Sequence, residues 1–217
     1  MIDYKDSAFL ASYLLLKFDL FNLLINYIYE GVSNMPTLRI YTDGACSGNQ
    51  NDNNIGGWGA ILEFGEHQKE ICGGEINTTN NRMEMMALIE ALSALKKTGQ
   101  TIEVFSDSSY VMNCFREKWY VGWLKNDWKN SSKKPVENRD LWEKLLALVQ
   151  EHHIAFYRVK GHVNLNSKST NLDALYEKFV KANGPQFSFE DFLYITEKNN
   201  RADALANEGI AMAKNSF

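Results

Sequence analysis

The sequence predicts an α/β fold with a five-stranded sheet of mixed direction and helices on its faces. Two features of the pattern carry this prediction. Three strand-like segments follow one another after residue 37, separated only by glycine and polar clusters, which indicates consecutive antiparallel strands. Beyond them strand-like and helical segments alternate, and this alternation is typical of sheets that contain parallel strands.

The first half of this pattern contains four strands and one long helix. The strands are predicted at 38 to 45, 57 to 64, 69 to 77 and 101 to 107. The helix between the third and fourth strands, "NNRMEMMALIEALSALKK", has apolar residues at helical spacing and closes on Gly99.

The second half is mostly helical. A helix at 108 to 117 is followed by a stretch rich in Trp and Lys, a helix at 136 to 153 and a fifth strand, "IAFYRVKGH". Three helical patterns come next: "LDALYEKFVKAN", then "GPQFSFEDFLYI", in which Ser188 and Asp191 offer a capping pair, and finally "NNRADALANEGIAMA".

Composition restricts the class of protein. The 217 residues have room for one ordinary domain and an appendage. A net charge of −4 and a sequence pI near 5.6 argue against a protein that coats nucleic acid by global charge, while a local basic face stays compatible with them. The three cysteines lack metal-ligand spacing and indicate neither a disulfide framework nor a zinc site, so we expect a cytoplasmic protein.

Residues 1 to 34 are predicted to be a separate, apolar helical extension that ends at glycine, asparagine and proline residues. The run from 9 to 29 is apolar enough to suggest a membrane span, but Lys17 and Asp19 near its centre offset most of the insertion free energy. Membrane association through this extension is therefore not favoured. An accessory helix, an oligomerisation element and a translated upstream extension all remain open.

Four acidic residues lie on otherwise apolar elements: Asp43 and Asp107 at strand ends, Glu84 in the first turn of a helix, and Asp203 in the last helix. Singly, each is what a helix cap or a solvated surface uses. Together at the carboxyl edge of a sheet, they would repel one another unless a cation neutralised them. Hard divalent ions bind oxygen ligands, so the four acids predict a Mg²⁺ site that can act on a phosphodiester.

Six sequence blocks carry a resemblance to a known family. They are "YTDGACSGN", "TTNNRMEMMALIEAL", "SDSSYV", "KKPVENRDLW", "VKGH" and "NNRADALA". Their order and approximate spacing resemble those of ribonuclease HI, the type 1 RNase H family, over about 38 to 214 except 163 to 198. The resemblance implies an RNase H-like fold and an endonuclease that hydrolyses the RNA strand of RNA/DNA hybrids. It also implies two Mg²⁺ ions, with Mn²⁺ as a substitute, and products with 5′-phosphate and 3′-hydroxyl ends.

The resemblance also implies roles for single residues. Asp43, Glu84, Asp107 and Asp203 match the family's four metal-binding carboxylates. His162 of "VKGH" matches a mobile histidine that shuttles protons or assists product release.

Two groups of residues match positions that contact the hybrid. Amide and hydroxyl side chains, which suit a minor groove that displays 2′-hydroxyls, are Asn49, Asn80, Asn81, Ser109 and Asn199; Ser109 stands where many relatives carry glutamine. The stretch from 116 to 134 has six basic residues against two acidic ones, a balance of +4, and resembles a basic protrusion that grips phosphates of the DNA strand. The members matched to substrate binding are Lys118, Trp119, Lys125, Lys129, Lys133 and Lys134. The tryptophans of this stretch are interpreted as support for the element more than as platforms for base stacking.

The match departs from the family in one place. An insertion at about 163 to 198 separates His162 from Asp203, and we expect it to fold as short helices within a domain that spans 35 to 217. Neither a stable protein partner nor an oligomer is implied. Two rival classes are an integrase-like or transposase-like nuclease of the same fold and a non-catalytic hybrid-binding module. The first lacks "VKGH" and the basic protrusion, and the second would have lost an acid.

Overall fold

The computed structural model describes residues 37 to 47 and 54 to 215, which form five strands and six helices. In chain order these are β1 (Leu38–Ser47), β2 (Ile55–Phe64), β3 (His67–Ile76), α1 (Asn80–Ser93), β4 (Thr101–Ser106), α2 (Ser109–Arg116), α3 (Trp119–Lys125), α4 (Arg139–Gln150), β5 (His153–Arg158), α5 (Leu172–Asn183) and α6 (Phe189–Asn215). The extension predicted at 1 to 34 lies outside the described residues. Within the described ranges, no helix combines the length and hydropathy that crossing a bilayer requires.

The sheet has the mixed direction that the sequence predicts. Its strand order is β3-β2-β1-β4-β5. The first three strands pair antiparallel, while β4 is parallel to both β1 and β5. Short connections suffice for the antiparallel strands, whereas each parallel pair is joined by a crossover that contains helix. As a result, the carboxyl end of β4 lies beside Thr42 in the middle of β1, which continues to Ser47.

Helices cover both faces of the sheet. Ile40 and Tyr41, neighbours on β1, are both fully buried, because successive side chains of a strand point to opposite faces. Ile40 belongs to a cluster that includes apolar residues of α1 and α4, among them Trp142. Tyr41 belongs to a second cluster, which contains Phe105 of β4 and Phe192 of α6. Each face of the sheet therefore has its own apolar core.

The last helix differs from the prediction. The sequence pattern divides this stretch into a short helix and a terminal helix, but α6 is one continuous helix of 27 residues, about 40 Å long. It begins after Ser188, whose hydroxyl accepts a hydrogen bond from the Asp191 N–H at 3.0 Å, as the capping pair predicts. No glycine or proline interrupts the chain between the two predicted helices, so nothing in the sequence requires a break there.

The predicted insertion is consequently part of the core. Helix α5 has the bounds of the predicted helix "LDALYEKFVKAN". The second half of the insertion forms the first turns of α6, where Phe192 and Ile195 are buried with Phe179 of α5. Removing this segment would expose apolar surface on one face of the sheet.

Candidate active site at the carboxyl edge of the sheet

The strand pairing brings the first two acidic residues together. The parallel ladder between β1 and β4 ends where Thr42 pairs with Ser106. Asp43 and Asp107 come directly after these two residues, so both carboxylates lie where the parallel ladder ends. The prediction that Asp43 follows the strand was wrong, because β1 continues to Ser47 through its antiparallel pairing with β2.

The third acidic residue is delivered by α1. Thr79 caps this helix by accepting a hydrogen bond from the Arg82 N–H at 3.3 Å. Because the helix begins at Asn80, Glu84 lies in its second turn and not, as predicted, in the first. Gly44 lets the strand and the helix approach, because a Cβ at that position would lie 2.2 Å from the Glu84 nitrogen. The glycine of the "TDG" block is therefore a packing requirement of the site.

Carboxylate oxygens of Asp43, Glu84 and Asp107, one from each residue, lie within 4.8 Å of one another. Asp43 is 4% exposed and Glu84 7% exposed. One oxygen of Asp43 accepts the Gly44 N–H at 2.7 Å, and one of Glu84 accepts from Asn80 Nδ2 at 3.4 Å. The other oxygens, Asp43 Oδ2 and Glu84 Oε2, are buried without a hydrogen-bond partner among the described residues.

Burial and mutual repulsion disfavour the ionised forms of this cluster. The pKa of Asp43 is raised to about 8, chiefly by burial and then by the charge of Asp107, with a smaller contribution from Asp203 and against the opposing effect of the Gly44 N–H. The pKa of Glu84 is well above its usual range, chiefly through burial and then through Asp43. Burial also raises the pKa of Asp107, against the opposing charge of His162.

These residues fit a divalent cation. Two buried carboxylate oxygens without partners and three mutually repelling acids make the kind of ligand set that Mg²⁺ or Mn²⁺ binds. Asp43, Glu84 and Asp107 would be the ligands. The site thus supports the use of a divalent metal without identifying the ion.

The fourth acidic residue lies at the rim of the same cavity. Asp203 of α6 faces His162, with Nδ1 of the histidine 3.7 Å from Oδ2 of the carboxylate. The His162 side chain is 76% exposed and stands over the opening. The cavity has a volume of about 560 Å³, and its lining includes all four acids, His162, Asn80, Asn81 and Ser109.

The structure does not support one of the predicted substrate contacts and does not describe another. Asn199, predicted to contact the hybrid, is 0% exposed, and neither Oδ1 nor Nδ2 of its side chain has a hydrogen-bond partner in the described part of the chain. It points into the interior because it lies on the same stretch of α6 as buried Ile195 and Ala202, so it does not line the cavity. Asn49 lies outside the described residues.

The stretch predicted as a basic protrusion is α3 with its flanking loops. Its lysines are exposed, and they are Lys118, Lys125, Lys129, Lys133 and Lys134. Trp119 is 37% exposed and donates its indole N–H to Glu117 at 2.9 Å. Trp123 and Trp128, by contrast, pack on each other and Trp123 packs on Trp142, which agrees with the interpretation of these rings as support.

Sequence reasoning missed two residues of the site. Gly161 lies so close to Asp107 that a Cβ there would be 1.6 Å from Oδ2 of the carboxylate. Gly161 is the glycine of the "VKGH" block, so that block could have indicated it. Asn207 also lines the cavity, and its side-chain amide donates to the Asp203 carbonyl at 2.9 Å. Its spacing of four residues from Asp203 on a helix could have indicated a shared face.

Fold and site together define an α/β protein with a carboxylate cluster at the end of adjacent parallel strands. The sequence model of the RNase H family matches residues 35 to 182. A Ribonuclease H of Chlorobaculum parvum is 50% identical over 145 residues, which are 67% of this chain and 96% of the relative. The chain therefore belongs to the ribonuclease H family, and the prediction that it is an enzyme is confirmed.

Solved structures agree on the fold. The solution structure of the PFV RNase H domain superposes with a TM-score of 0.56 at 21% identity, covering 83% of this chain and 98% of that one. The crystal structure of LC11-RNase H1 in complex with RNA/DNA hybrid gives a TM-score of 0.50 at 21% identity, covering 82% and 99%. The predicted RNase H-like fold is thus confirmed.

Proposed function

We propose that this protein is an endonuclease that hydrolyses the RNA strand of RNA/DNA hybrids, with water as the nucleophile and with 5′-phosphate and 3′-hydroxyl products. One observation carries the proposal: three acids, two of them buried and Asp107 half-buried, place carboxylate oxygens within 4.8 Å of one another at the edge of the sheet. Membership of the ribonuclease H family supports the choice of substrate, as does the hybrid bound by LC11-RNase H1.

The metal chemistry is assigned to the four acids. Asp43, Glu84 and Asp107 would hold the ions, with Asp203 contributing from the rim of the cavity. Two bound Mg²⁺ ions, or Mn²⁺ in their place, would lower the pKa of the attacking water and stabilise the charge that builds on the phosphate.

Other residues of the cavity would bind the hybrid and handle protons. Asn80, Asn81 and Ser109 supply donors and acceptors that suit the 2′-hydroxyls and base edges of the minor groove. His162 would transfer a proton to or from the departing end of the RNA, and its exposure at the opening and its closeness to Asp203 support this role. The lysines around α3 would bind phosphates of the DNA strand.

Three further properties are proposed from the sequence. The protein acts as a monomer in the cytoplasm. Its catalytic domain spans 35 to 217 and carries an insertion at about 163 to 198. It needs no stable protein partner for activity.

The test uses purified full-length protein, the Asp43→Asn variant and the Glu66→Gln variant, which removes one negative charge from the exposed turn between β2 and β3. Each is incubated with labelled RNA/DNA hybrid, duplex RNA and duplex DNA, with and without Mg²⁺. We expect cleavage of the hybrid alone, only with metal, and a loss of about 100-fold or more in Asp43→Asn but not in Glu66→Gln. Hybrid cleavage that survives Asp43→Asn would contradict the proposed mechanism.

A further inference from the structure

A second cleft lies between α5 and the end of β5, apart from the cavity that holds the acidic residues. Its volume is about 380 Å³. Phe179 and Phe192 contribute an apolar floor, and both are almost fully buried. Among the described residues, the charged ones that line it are Arg158, Lys160 and Lys178, all of them basic.

The cleft is held in shape by an amide clamp. Asn183, the last residue of α5, donates from Nδ2 to the Arg158 carbonyl at 2.8 Å and accepts the Arg158 N–H through Oδ1 at 3.0 Å. Arg116 of α2 also donates to this Oδ1, at 3.3 Å. Because β5 is an edge strand, these bonds attach the insertion to the sheet at the point where the chain leaves for His162.

The three basic side chains are available to a ligand. Arg158, Lys160 and Lys178 are exposed, and within the part of the chain that the structure describes none of them forms an ion pair or a side-chain hydrogen bond. Three like charges around one cleft repel one another, and a polyanion relieves that repulsion. This surface is therefore complementary to closely spaced negative charges.

The cleft is also close to the reacting centre. Lys160 directly precedes Gly161, which abuts the Asp107 carboxylate. A nucleic acid duplex carries a negative charge every ~1.7 Å along its axis, so a duplex seated over the acidic cavity presents further phosphates to groups beside it. The polyanion that we expect at this cleft is therefore the backbone of the nucleic acid bound over the neighbouring acidic cavity.

We propose that Arg158, Lys160 and Lys178 form a second phosphate-binding surface, built jointly by the insertion and the end of β5, that lengthens the contact with the nucleic acid substrate. This inference rests on the proposed function. It assigns the insertion a role in substrate binding that is separate from the lysines around α3.

The experiment measures binding of a long RNA/DNA hybrid by fluorescence anisotropy at several salt concentrations. Every protein carries Asp43→Asn, so that the hybrid stays intact. Lys178→Ala and Lys178→Glu are compared with Lys97→Ala, an exposed lysine beside Leu38 at the opposite end of β1 from Asp43. Alanine favours helix, so the substitution in α5 preserves the fold.

We expect Lys178→Ala to reduce the slope of log K against log salt by about 1, and Lys178→Glu to reduce it further, while Lys97→Ala leaves it unchanged. Equal slopes for Lys178→Ala and Lys97→Ala would overturn the inference. A failure of the proposed function would be seen in a different experiment, as an absence of hybrid cleavage by the wild-type protein. The anisotropy assay measures only binding, so the two failures can be told apart.

Discussion

Replacing Asp43 by asparagine should stabilise the metal-free protein although it removes a proposed metal ligand. Burial holds the pKa of Asp43 at about 8, against an ordinary value of 3.8. Because the unfolded chain releases this proton at a lower pH than the folded protein, the free energy of unfolding falls as pH rises from about 4 to about 8. Above pH 8 both states are ionised and the loss is complete.

The magnitude follows from the two pKa values. At pH 7, a carboxyl with a pKa of about 8 when folded and about 3.9 when unfolded lowers stability by about 4 kcal/mol. Asparagine removes this cost but can leave a buried amide imperfectly paired, at about 1 to 3 kcal/mol. The net gain of about 1 to 3 kcal/mol corresponds to a rise in Tm of about 2 to 12 °C for a domain of this size.

Thermal melts in EDTA between pH 5 and pH 9 provide the measurement. The wild-type Tm should fall through this range more steeply than that of Asp43→Asn, so that the variant is the more stable protein at pH 7 to 8. Mg²⁺ should raise the wild-type Tm strongly and that of the variant weakly, because a ligand that binds the folded state stabilises it. Glu66→Gln controls for the change in net charge.

The reasoning would be refuted by parallel pH curves for the wild type and Asp43→Asn in EDTA, or by a lower Tm for the variant at pH 8. Either result would mean that burial beside the other acids does not raise the pKa of Asp43 in the folded protein.

Two further predictions concern residues that position the site. Gly161→Ala should lower kcat for hybrid cleavage by about 100-fold, because the new methyl group displaces Asp107, and initial rates at saturating hybrid measure this. Asn183→Ala should lower the free energy of unfolding by about 1 to 2 kcal/mol, because it removes two hydrogen bonds to the backbone of Arg158, and a urea titration measures this.

A control variant for each prediction shows whether the change in kcat or in stability is specific to the residue replaced. A Cβ at Gly122 would meet no atom within 4 Å, so Gly122→Ala should keep its kcat. Equal rates for Gly161→Ala and Gly122→Ala would show that Asp107 tolerates the methyl group. The control for Asn183→Ala is Lys181→Ala, which changes an exposed residue of the same helix. If the urea midpoint of Asn183→Ala is no lower than that of Lys181→Ala, the hydrogen bonds of Asn183 do not hold α5 to β5.

The local sequence pattern was sufficient to predict most helices and strands, because the residues that define each of them lie close together in the chain. Apolar spacing defined α5 over the bounds that the structure shows, and Ser188 with Asp191 located the start of α6. The same local signals failed between the two predicted helices near the end of the chain. Whether a helix continues through a polar segment depends on what its two halves pack against, and both halves of α6 pack on the sheet.

The sequence by itself determined the class of fold and the family, and it indicated the four acids as candidates, because hydrophobic periodicity, helix caps and ordered motifs are each read from residues close together in the chain. Only the tertiary structure decided which atoms meet. Strand pairing set Asp43 beside Asp107, close packing brought in Glu84, and the continuous helix left Asp203 at the rim while turning Asn199 inward. The basic cleft beside α5 likewise arises from segments that meet only when the chain is folded, so no local pattern could have indicated it.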